Sequence, residues 1–311
     1  MLIIDNTSTN PYFNIALEEY LLKESKEDIF MLYVDEPSVI VGKHQNTLAE
    51  INLRYILENN IAVVRRISGG GTVYHDFGNL NFTFIANGKE GHLVDFKRYT
   101  EPIIQVLRNI GIDVKLEGKN DLRVDNLKIS GNAEHVFRNR VLHHGTILVS
   151  ANLLNLSAAL KVDLAKYTDN AVKSIRSKVA NINSLLPNPV SVEKLKTHIF
   201  GHIQNQNDFK SYSISKHDIL EVKKRVEDKF ATWQWNYGYS PKYQFFIKNP
   251  INNVKKEISL EVENGFIISA KVEDNDSLAK ELIGAAHFPE KIQAVLEKQK
   301  SARPDLVWHF F

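Results

Sequence analysis

Chemistry is most concentrated in the run Arg65-Arg66-Ile67-Ser68-Gly69-Gly70-Gly71-Thr72-Val73-Tyr74-His75-Asp76. An apolar, mostly β-branched run, Ile61 to Val64, precedes it and Thr72-Val73-Tyr74 closes it, so the glycines are expected to join two strands. The nucleotide loops Gly-x-x-x-x-Gly-Lys-Ser/Thr and Gly-x-Gly-x-x-Gly run from a strand into a helix, and neither pattern is present here. Three successive residues without Cβ let the backbone reach positive φ and let a ligand approach its N–H groups. Two arginines beside them add fixed charge and bidentate donors for phosphate or carboxylate oxygens. A lone Gly-Gly-Gly reads as a hairpin with a basic flank; with Arg-Arg before it and His-Asp after it, the stretch reads as an anion site of unfamiliar type.

A second reactive stretch is Leu127-Lys128-Ile129-Ser130-Gly131-Asn132-Ala133. Strand lysines usually point to solvent. The functional alternative sets Lys128 against a ligand, where its ammonium can stabilise charge on a phosphate or a developing oxyanion. The turn Gly118-Lys119-Asn120-Asp121 supplies a carboxylate that could orient the lysine or help hold a magnesium–phosphate group, although most Asn-Asp pairs only shape turns. Further on, His143-His144-Gly145 interrupts an apolar strand pattern. A glycine inside a strand marks a bulge or a close approach, so both histidines are read as pocket lining. No third ligand accompanies them, which argues against a metal.

Composition narrows the chemistry. The chain has 311 residues and no cysteine, which removes disulfides, thiolate metal sites and any cysteine nucleophile. A formal net charge of +2 gives no general electrostatic case for nucleic acid. The first residues lack a basic segment followed by an apolar run, and no segment approaches the roughly 20 apolar residues that span a bilayer. The expectation is a soluble cytoplasmic protein without membrane or nucleic-acid partners.

The elements that must position these groups follow from periodicity. Asn10-Pro11 predicts a helix start, with an apolar face through Phe13, Leu17, Tyr20 and Leu21 and a polar face opposite. Strands are expected at residues 29–34 and 38–41, the second leading into Gly42, with a helix at 52–58. Alternation over 79–86 predicts a strand pairing close to Thr72 to Tyr74. A helix over 96–110 stops at Gly111, and strands follow near 113–116, 122–124 and from Leu127. The basic segment 172–182 reads as a solvated helix face, with a phosphate or acidic-partner contact as the alternative. In the tail, Ile258, Leu260 and Val262 share a face with Phe266, Ile268 and Ala270 only if Glu263-Asn264-Gly265 forms a three-residue loop that pairs Val262 with Phe266.

Taken together, these stretches resemble the lipoate–protein ligase A family of the biotin/lipoate ligase superfamily. The resemblance rests on Arg65 to Asp76, Gly118 to Asp121, Lys128 to Ala133, His143 to Leu148, Ser174 to Val179 and Trp233-Gln234-Trp235-Asn236-Tyr237-Gly238. Six motifs in order cover almost the full length. The resemblance implies an α+β fold, with a large mixed-sheet catalytic domain over residues 1–242 and a small α+β accessory domain over 243–311. It implies an ATP-dependent ligase, using magnesium, that converts lipoate to lipoyl-AMP and passes the acyl group to a lysine of a lipoyl domain. The expected acceptors are glycine cleavage H protein or acyltransferase subunits of 2-oxoacid dehydrogenases, and the enzyme is expected to be a monomer. Arg66 and the backbone of Gly71, Thr72, Val73 and Tyr74 are expected on the nucleotide, with Gly69 and Gly70 permitting its approach. Lys128 is expected to be catalytic, and Asp121 to aid it or a magnesium ion. Gly42, His75, His143, His144 and Gly145 are expected to line the lipoate pocket. The missing cysteine counts against acyl-enzyme transferases of the superfamily. Two alternatives remain, a transferase using supplied lipoyl-AMP and a non-catalytic lipoyl-domain binder.

Overall fold

Runs of β-branched and aromatic residues fold as strands. In chain order these are β1 (Leu2–Asp5), β2 (Ile29–Tyr33), β3 (Ser38–Val41), β4 (Ala62–Arg65), β5 (Val73–His75), β6 (Asn79–Asn87), β7 (Lys115–Glu117), β8 (Asp121–Val124), β9 (Leu127–Phe137), β10 (Arg140–Leu148), β11 (Tyr167–Asp169), β12 (Lys210–Ser211), β13 (Tyr243–Ile251), β14 (Val254–Glu263) and β15 (Phe266–Val272). The structure is a computed structural model that describes residues 1–88, 93–206, 208–251, 254–299 and 306–311. It divides into two units, one of Met1–Lys43, Ala62–Leu156 and Ile175–Ala231, the other of His44–Ile61, Ser157–Ser174 and Thr232–Phe311.

The first unit is built on an eight-stranded sheet in the order β12-β1-β2-β6-β10-β9-β8-β7. The β12, β1 and β2 strands run parallel and the remaining pairs antiparallel, so the sheet is mixed, as expected. Its two faces differ in chemistry. Phe82 and Phe84 of β6 join Tyr99, Ile103 and Leu107 of the Phe96–Asn109 helix and Leu195 and Ile199 of the Val192–Gln206 helix in one apolar core. The opposite face carries Asn79, Asn81 and Thr83 of β6, all buried. Buried polar groups must be hydrogen-bonded, and the Pro11–Glu24 helix supplies partners: Thr83 Oγ1 donates to Glu18 Oε1 at 2.5 Å.

That helix starts as predicted, with Asn10 Oδ1 accepting from the Phe13 N–H at 3.0 Å. Its polar side does not face water, because Asn14, Glu18 and Glu19 are buried along with Leu17 and Leu21. Glu18 meets the polar sheet face, while Asn14 donates to Asp35 Oδ1 at 2.7 Å and Glu19 accepts from Lys23 at 3.0 Å and Lys229 at 2.8 Å.

A smaller sheet, β4-β3-β5, carries the glycine stretch. The glycines do join two strands, but β4 and β5 both pair with β3 rather than with each other. The expected pairing of residues 79–86 with Thr72 to Tyr74 is therefore wrong. After Asp76 the chain turns, with Asn79 N–H donating to Asp76 O at 2.9 Å, and β6 enters the large sheet between β2 and β10. Nor is residues 172–182 a helix. Residues around Val179 run extended beside Lys128, whose N–H donates to Lys178 O at 2.9 Å and whose carbonyl accepts from Ala180 N–H at 3.0 Å.

In the second unit β11, β13, β14 and β15 form an antiparallel sheet, joined by helices Asp276–Leu282 and Pro289–Lys298. The hairpin differs from expectation. Glu263 pairs with Phe266 across a two-residue Asn264-Gly265 turn, with φ of 52° and 80°. Asn-Gly meets the demand of such a turn for two positive φ values. The turn itself sets Val262 opposite the buried Ile267, and a bulge between Glu261 and Val262 leaves Ile268 exposed and brings Leu260 opposite Ala270.

Candidate active site

The two arginines point in different directions and both build loops. Arg65, fully buried, donates from Nη1 to the carbonyls of Gly42 and Lys43, each at 3.1 Å, which places Gly42 in a turn pinned to β4. Arg66 donates from Nε to Ser68 Oγ at 3.0 Å, from Nη1 to Ile40 O at 3.0 Å, and from Nη2 to Gly69 O at 2.6 Å and Gly71 O at 2.8 Å. Burial lowers its guanidinium to about 10, still a cation at neutral pH, while Glu18 and Tyr33 act to raise it. In a trans peptide the N–H points opposite to the C=O. Since the Gly69 and Gly71 carbonyls turn toward Arg66, the amides of Gly70 and Thr72 turn away from it, an arrangement of the kind that receives an anion. Gly70 has φ of 89°, and a Cβ there would sit 3.0 Å from Arg66 Nη2 and 3.9 Å from Ala133 Cβ. The loop therefore lies over β9, the strand that carries Lys128.

Lys128 Nζ stands 2.8 Å from Asp121 Oδ1 and is partly exposed. Its side chain runs back over Gly131, where a Cβ would lie 3.1 Å from Nζ. The other carboxylate oxygen of Asp121 accepts from Arg123 Nη2 at 2.9 Å, and the same Nη2 reaches Ser177 Oγ at 3.0 Å. With both oxygens engaged by cations, Asp121 is placed to orient the lysine. Among the described residues, no group of three His, Asp or Glu side chains could hold a metal ion.

The histidines divide between faces. His144 lies on the polar face, with Nε2 2.6 Å from Ser68 Oγ and Nδ1 2.8 Å from Glu18 Oε2. His143 points the other way, into the apolar core, with Nδ1 2.9 Å from Glu134 Oε1 and its ring 5.2 Å from that of Tyr99. Burial lowers His143, against the pull of Glu134. Gly145 shares that side, and a Cβ there would meet Asn132 Oδ1 at 2.2 Å and Phe82 Cζ at 2.5 Å. The close approach at Gly145 is thus made by the core. A strand alternates its side chains, so neighbouring histidines cannot both line one pocket; the structure gathers His144 with Arg66 and leaves His143 and Gly145 on the far face. His75, from β5, is held by Asp35 at 2.8 Å through Nδ1, and its buried Nε2 has no hydrogen-bond partner among the described residues. Val73 and Tyr74 precede it on the same strand.

Sequence reasoning missed Glu18, Arg123 and Ser68 as individual participants. Glu18 carries the network's charge. Burial works against that charge, yet His144, Thr83 and Tyr33 together hold its carboxyl below the usual range. The available signal was Asn14 and Glu18, four residues apart and so on one face of the helix. A cleft of about 1080 Å³ also opens in this unit, lined by Asn6, Phe13, Phe200, Tyr212 and Lys223 among others, and takes in none of the motif residues. The convergence of charge and loop geometry identifies the site more securely than cleft size.

The chain resembles known proteins over its whole length. The family model described as the lipoyl protein ligase A/B catalytic domain matches residues 10–204. Lipoate–protein ligase 1 of Staphylococcus aureus is 39% identical, the alignment covering 99% of this chain and 95% of that one. The Bacillus subtilis lipoate–protein ligase LplJ is 40% identical over 88% of this chain and 84% of its own. Among solved structures, Plasmodium falciparum LipL1 in complex with lipoate is 27% identical with a TM-score of 0.66, covering 99% of this chain and 97% of that one. A lipoate–protein ligase A bound with ATP is 26% identical with a TM-score of 0.65, over 76% and 98%. A bipartite lipoate–protein ligase from Thermoplasma acidophilum, described with its E2 lipoyl domain, is 26% identical with a TM-score of 0.66, over 80% and 98%. With the family model matching residues 10–204 and its relatives matched nearly end to end, this chain belongs to the lipoyl protein ligase A/B catalytic-domain family.

Proposed function

We propose that this protein is an ATP-dependent lipoate–protein ligase. The observation that carries the reading is the placement of the Arg66-shaped glycine loop on the strand bearing Lys128, which puts amides suited to a phosphate and a held ammonium in one site. The related structures with lipoate and with ATP support the two substrates.

A carboxylate does not acylate an amine at a useful rate, so it is first activated. One lipoate oxygen attacks the α-phosphorus of ATP, the bond to the bridging oxygen breaks, and pyrophosphate leaves. The target lysine's amine then attacks the acyl carbon; the bond to the phosphate oxygen breaks, AMP leaves, and the amine loses a proton. Both transition states put negative charge on oxygens around one centre, so a positioned cation and preorganised amides suffice without a covalent nucleophile. Lys128 supplies the cation, oriented by Asp121. Amides of the loop from Gly69 through Tyr74 receive the phosphates, and Arg66 holds them in place and adds charge. His144 and His75 belong to the pocket side, with Gly42 at its edge. Any magnesium enters with the nucleotide, carried by its phosphates.

The acceptors are lipoyl domains, of the H protein or of acyltransferase subunits, a reading supported by the archaeal ligase described with its E2 lipoyl domain. The protein acts as a monomer in the cytoplasm; no helix among the described residues is long and apolar enough to cross a membrane. Residues 1–242 act as the catalytic part and 243–311 as an accessory part.

The test is mass spectrometry of an apo lipoyl domain incubated with the protein, lipoate, magnesium and ATP, beside a reaction given lipoyl-AMP alone. Modification in both is expected. Modification from lipoyl-AMP only would leave a transferase, and modification in neither would leave a binder.

A further inference from the structure

We propose that Glu18 and His144 are positioning residues that set the orientation of Arg66, and with it the aim of the glycine-loop amides, through Ser68. For its kinetic readout the proposal rests on the ligase reading. Arginine can only donate hydrogen bonds and an ionised carboxylate can only accept them, which fixes the two end bonds of the chain; the proposal includes the direction of the middle one, from the Ser68 hydroxyl to His144. In the arrangement proposed, Arg66 Nε–H donates to Ser68 Oγ at 3.0 Å, the Ser68 hydroxyl donates to His144 Nε2 at 2.6 Å, and His144 Nδ1–H donates to Glu18 Oε2 at 2.8 Å. His144 then carries a proton on Nδ1 and accepts at Nε2. The far carboxylate oxygen of Glu18 takes the hydroxyls of Thr83, at 2.5 Å, and Tyr33, at 3.1 Å.

Every member of the chain is buried. It ties together a helix, a strand of the large sheet and the loop of the small sheet, three elements that no backbone ladder joins at this point. At its other end the guanidinium grips Ile40, Gly69 and Gly71 carbonyls, so the plane of Arg66 is fixed from both sides. A serine hydroxyl can rotate. What prevents it here is the acceptor nitrogen of His144, and what fixes that nitrogen's tautomer is Glu18. Loss of the carboxylate's charge frees the imidazole to carry its proton on either nitrogen. Ser68 can then no longer hold one direction, and the Gly70 and Thr72 amides lose the support that aims them. The consequence falls on the nucleotide, although neither Glu18 nor His144 is placed on it.

The test uses the full chain with Glu18→Gln and Ser68→Ala. In ATP–pyrophosphate exchange driven by lipoate, both variants are expected to raise KM for ATP about tenfold, the effect of losing one hydrogen bond to a charged group, with KM for lipoate within about twofold of the parent. Independently of activity, nitrogen-15 NMR is expected to show His144 in the Nδ1–H tautomer. Glu18→Gln is expected to move the Arg66 Nε–H resonance, although the two side chains are not hydrogen-bonded to each other. An unchanged KM for ATP in both variants, an effect confined to KM for lipoate, an Nε2–H tautomer in the parent, or an unmoved Arg66 resonance would each overturn the proposal. Absence of exchange in the parent would sink the ligase reading instead, and the two NMR results would then decide the relay by themselves. Should Glu18→Gln not fold, the His144 tautomer in the parent and KM for ATP in Ser68→Ala, which removes a single oxygen, decide the proposal.

Discussion

Lys128 keeps its ammonium within 2.8 Å of a carboxylate at a partly open position, an arrangement that holds the charge in place without neutralising it by burial. Replacing Lys128 by alanine removes the cation and leaves a surface gap, so ligation is expected to fall roughly 10²–10³-fold with little change in thermal stability. Time courses of lipoyl-domain modification beside a circular dichroism melt check both halves; near-parent turnover would remove Lys128 from the chemistry. Asp121→Asn keeps the shape and drops the charge, and a loss of about tenfold is expected for a group that acts by orienting another. Loss as large as that of Lys128→Ala would make Asp121 a direct participant. At this scale the sequence was most legible where partners are close in the chain, since Arg66, Ser68 and the glycines form one contiguous motif. Glu18 was illegible for the opposite reason: its partners Thr83 and His144 lie 65 and 126 residues away, and a glutamate on an amphipathic helix reads as solvated.

Elements were read well in type and less well in what each face meets. Period-two alternation located β6 and β10, but it does not say which face holds a ligand, and the glycine at 145 pointed to a close approach without naming its source. The source is Phe82 and Asn132, so Gly145→Ala is expected to cost about 1–3 kcal/mol of stability by overpacking, with KM for lipoate unchanged in the protein that remains folded. Denaturant unfolding beside steady-state kinetics separates the two, and a selective rise in KM would return Gly145 to the pocket. The β14–β15 hairpin shows a related limit. Both candidate turns put Gly265 at positive φ, and only the bulge between Glu261 and Val262, which has no sequence signature, brings Leu260 and Ile258 opposite Ala270 and Val272 after a two-residue turn. The basic segment 172–182 was read as a helix from its composition, whereas its backbone is spent on pairing with Lys128.

For the molecule as a whole, the mixed sheet was expected from the family resemblance, whereas the smaller α+β region was legible in the residues themselves, because strand alternation and helix spacing are local quantities. Their division into units was not, because the second unit gathers residues from three separate stretches. That unit contains a titratable core. His287 donates from Nε2 to the Phe310 carbonyl at 2.5 Å and accepts from the Tyr243 hydroxyl at 2.7 Å. Burial lowers it from 6.5 to about 4, outweighing the Phe310 carbonyl, which raises it. The unfolded chain binds this proton first, so the contribution is complete above pH 6.5 and is lost as pH falls toward 4, about 3 kcal/mol in all. The 3 tryptophans, Trp233, Trp235 and Trp308, all lie in this unit, so their fluorescence reports on it. Their melting midpoint is expected to drop across that window in the parent and to stay flatter in His287→Gln; parallel curves would exclude His287 as the cause.

The interleaving of the two units bears on how sequences of this family can recombine. A single crossover near residue 231 would join the C-terminal stretch of one parent to the 44–61 and 157–174 stretches of the other, and so split one folded unit between two ancestries. Chimeras of distant relatives made that way are expected to express poorly, while exchange of all three stretches together keeps each unit of one parentage. Inheritance in this fold is therefore expected to favour whole-gene replacement over the trading of ends.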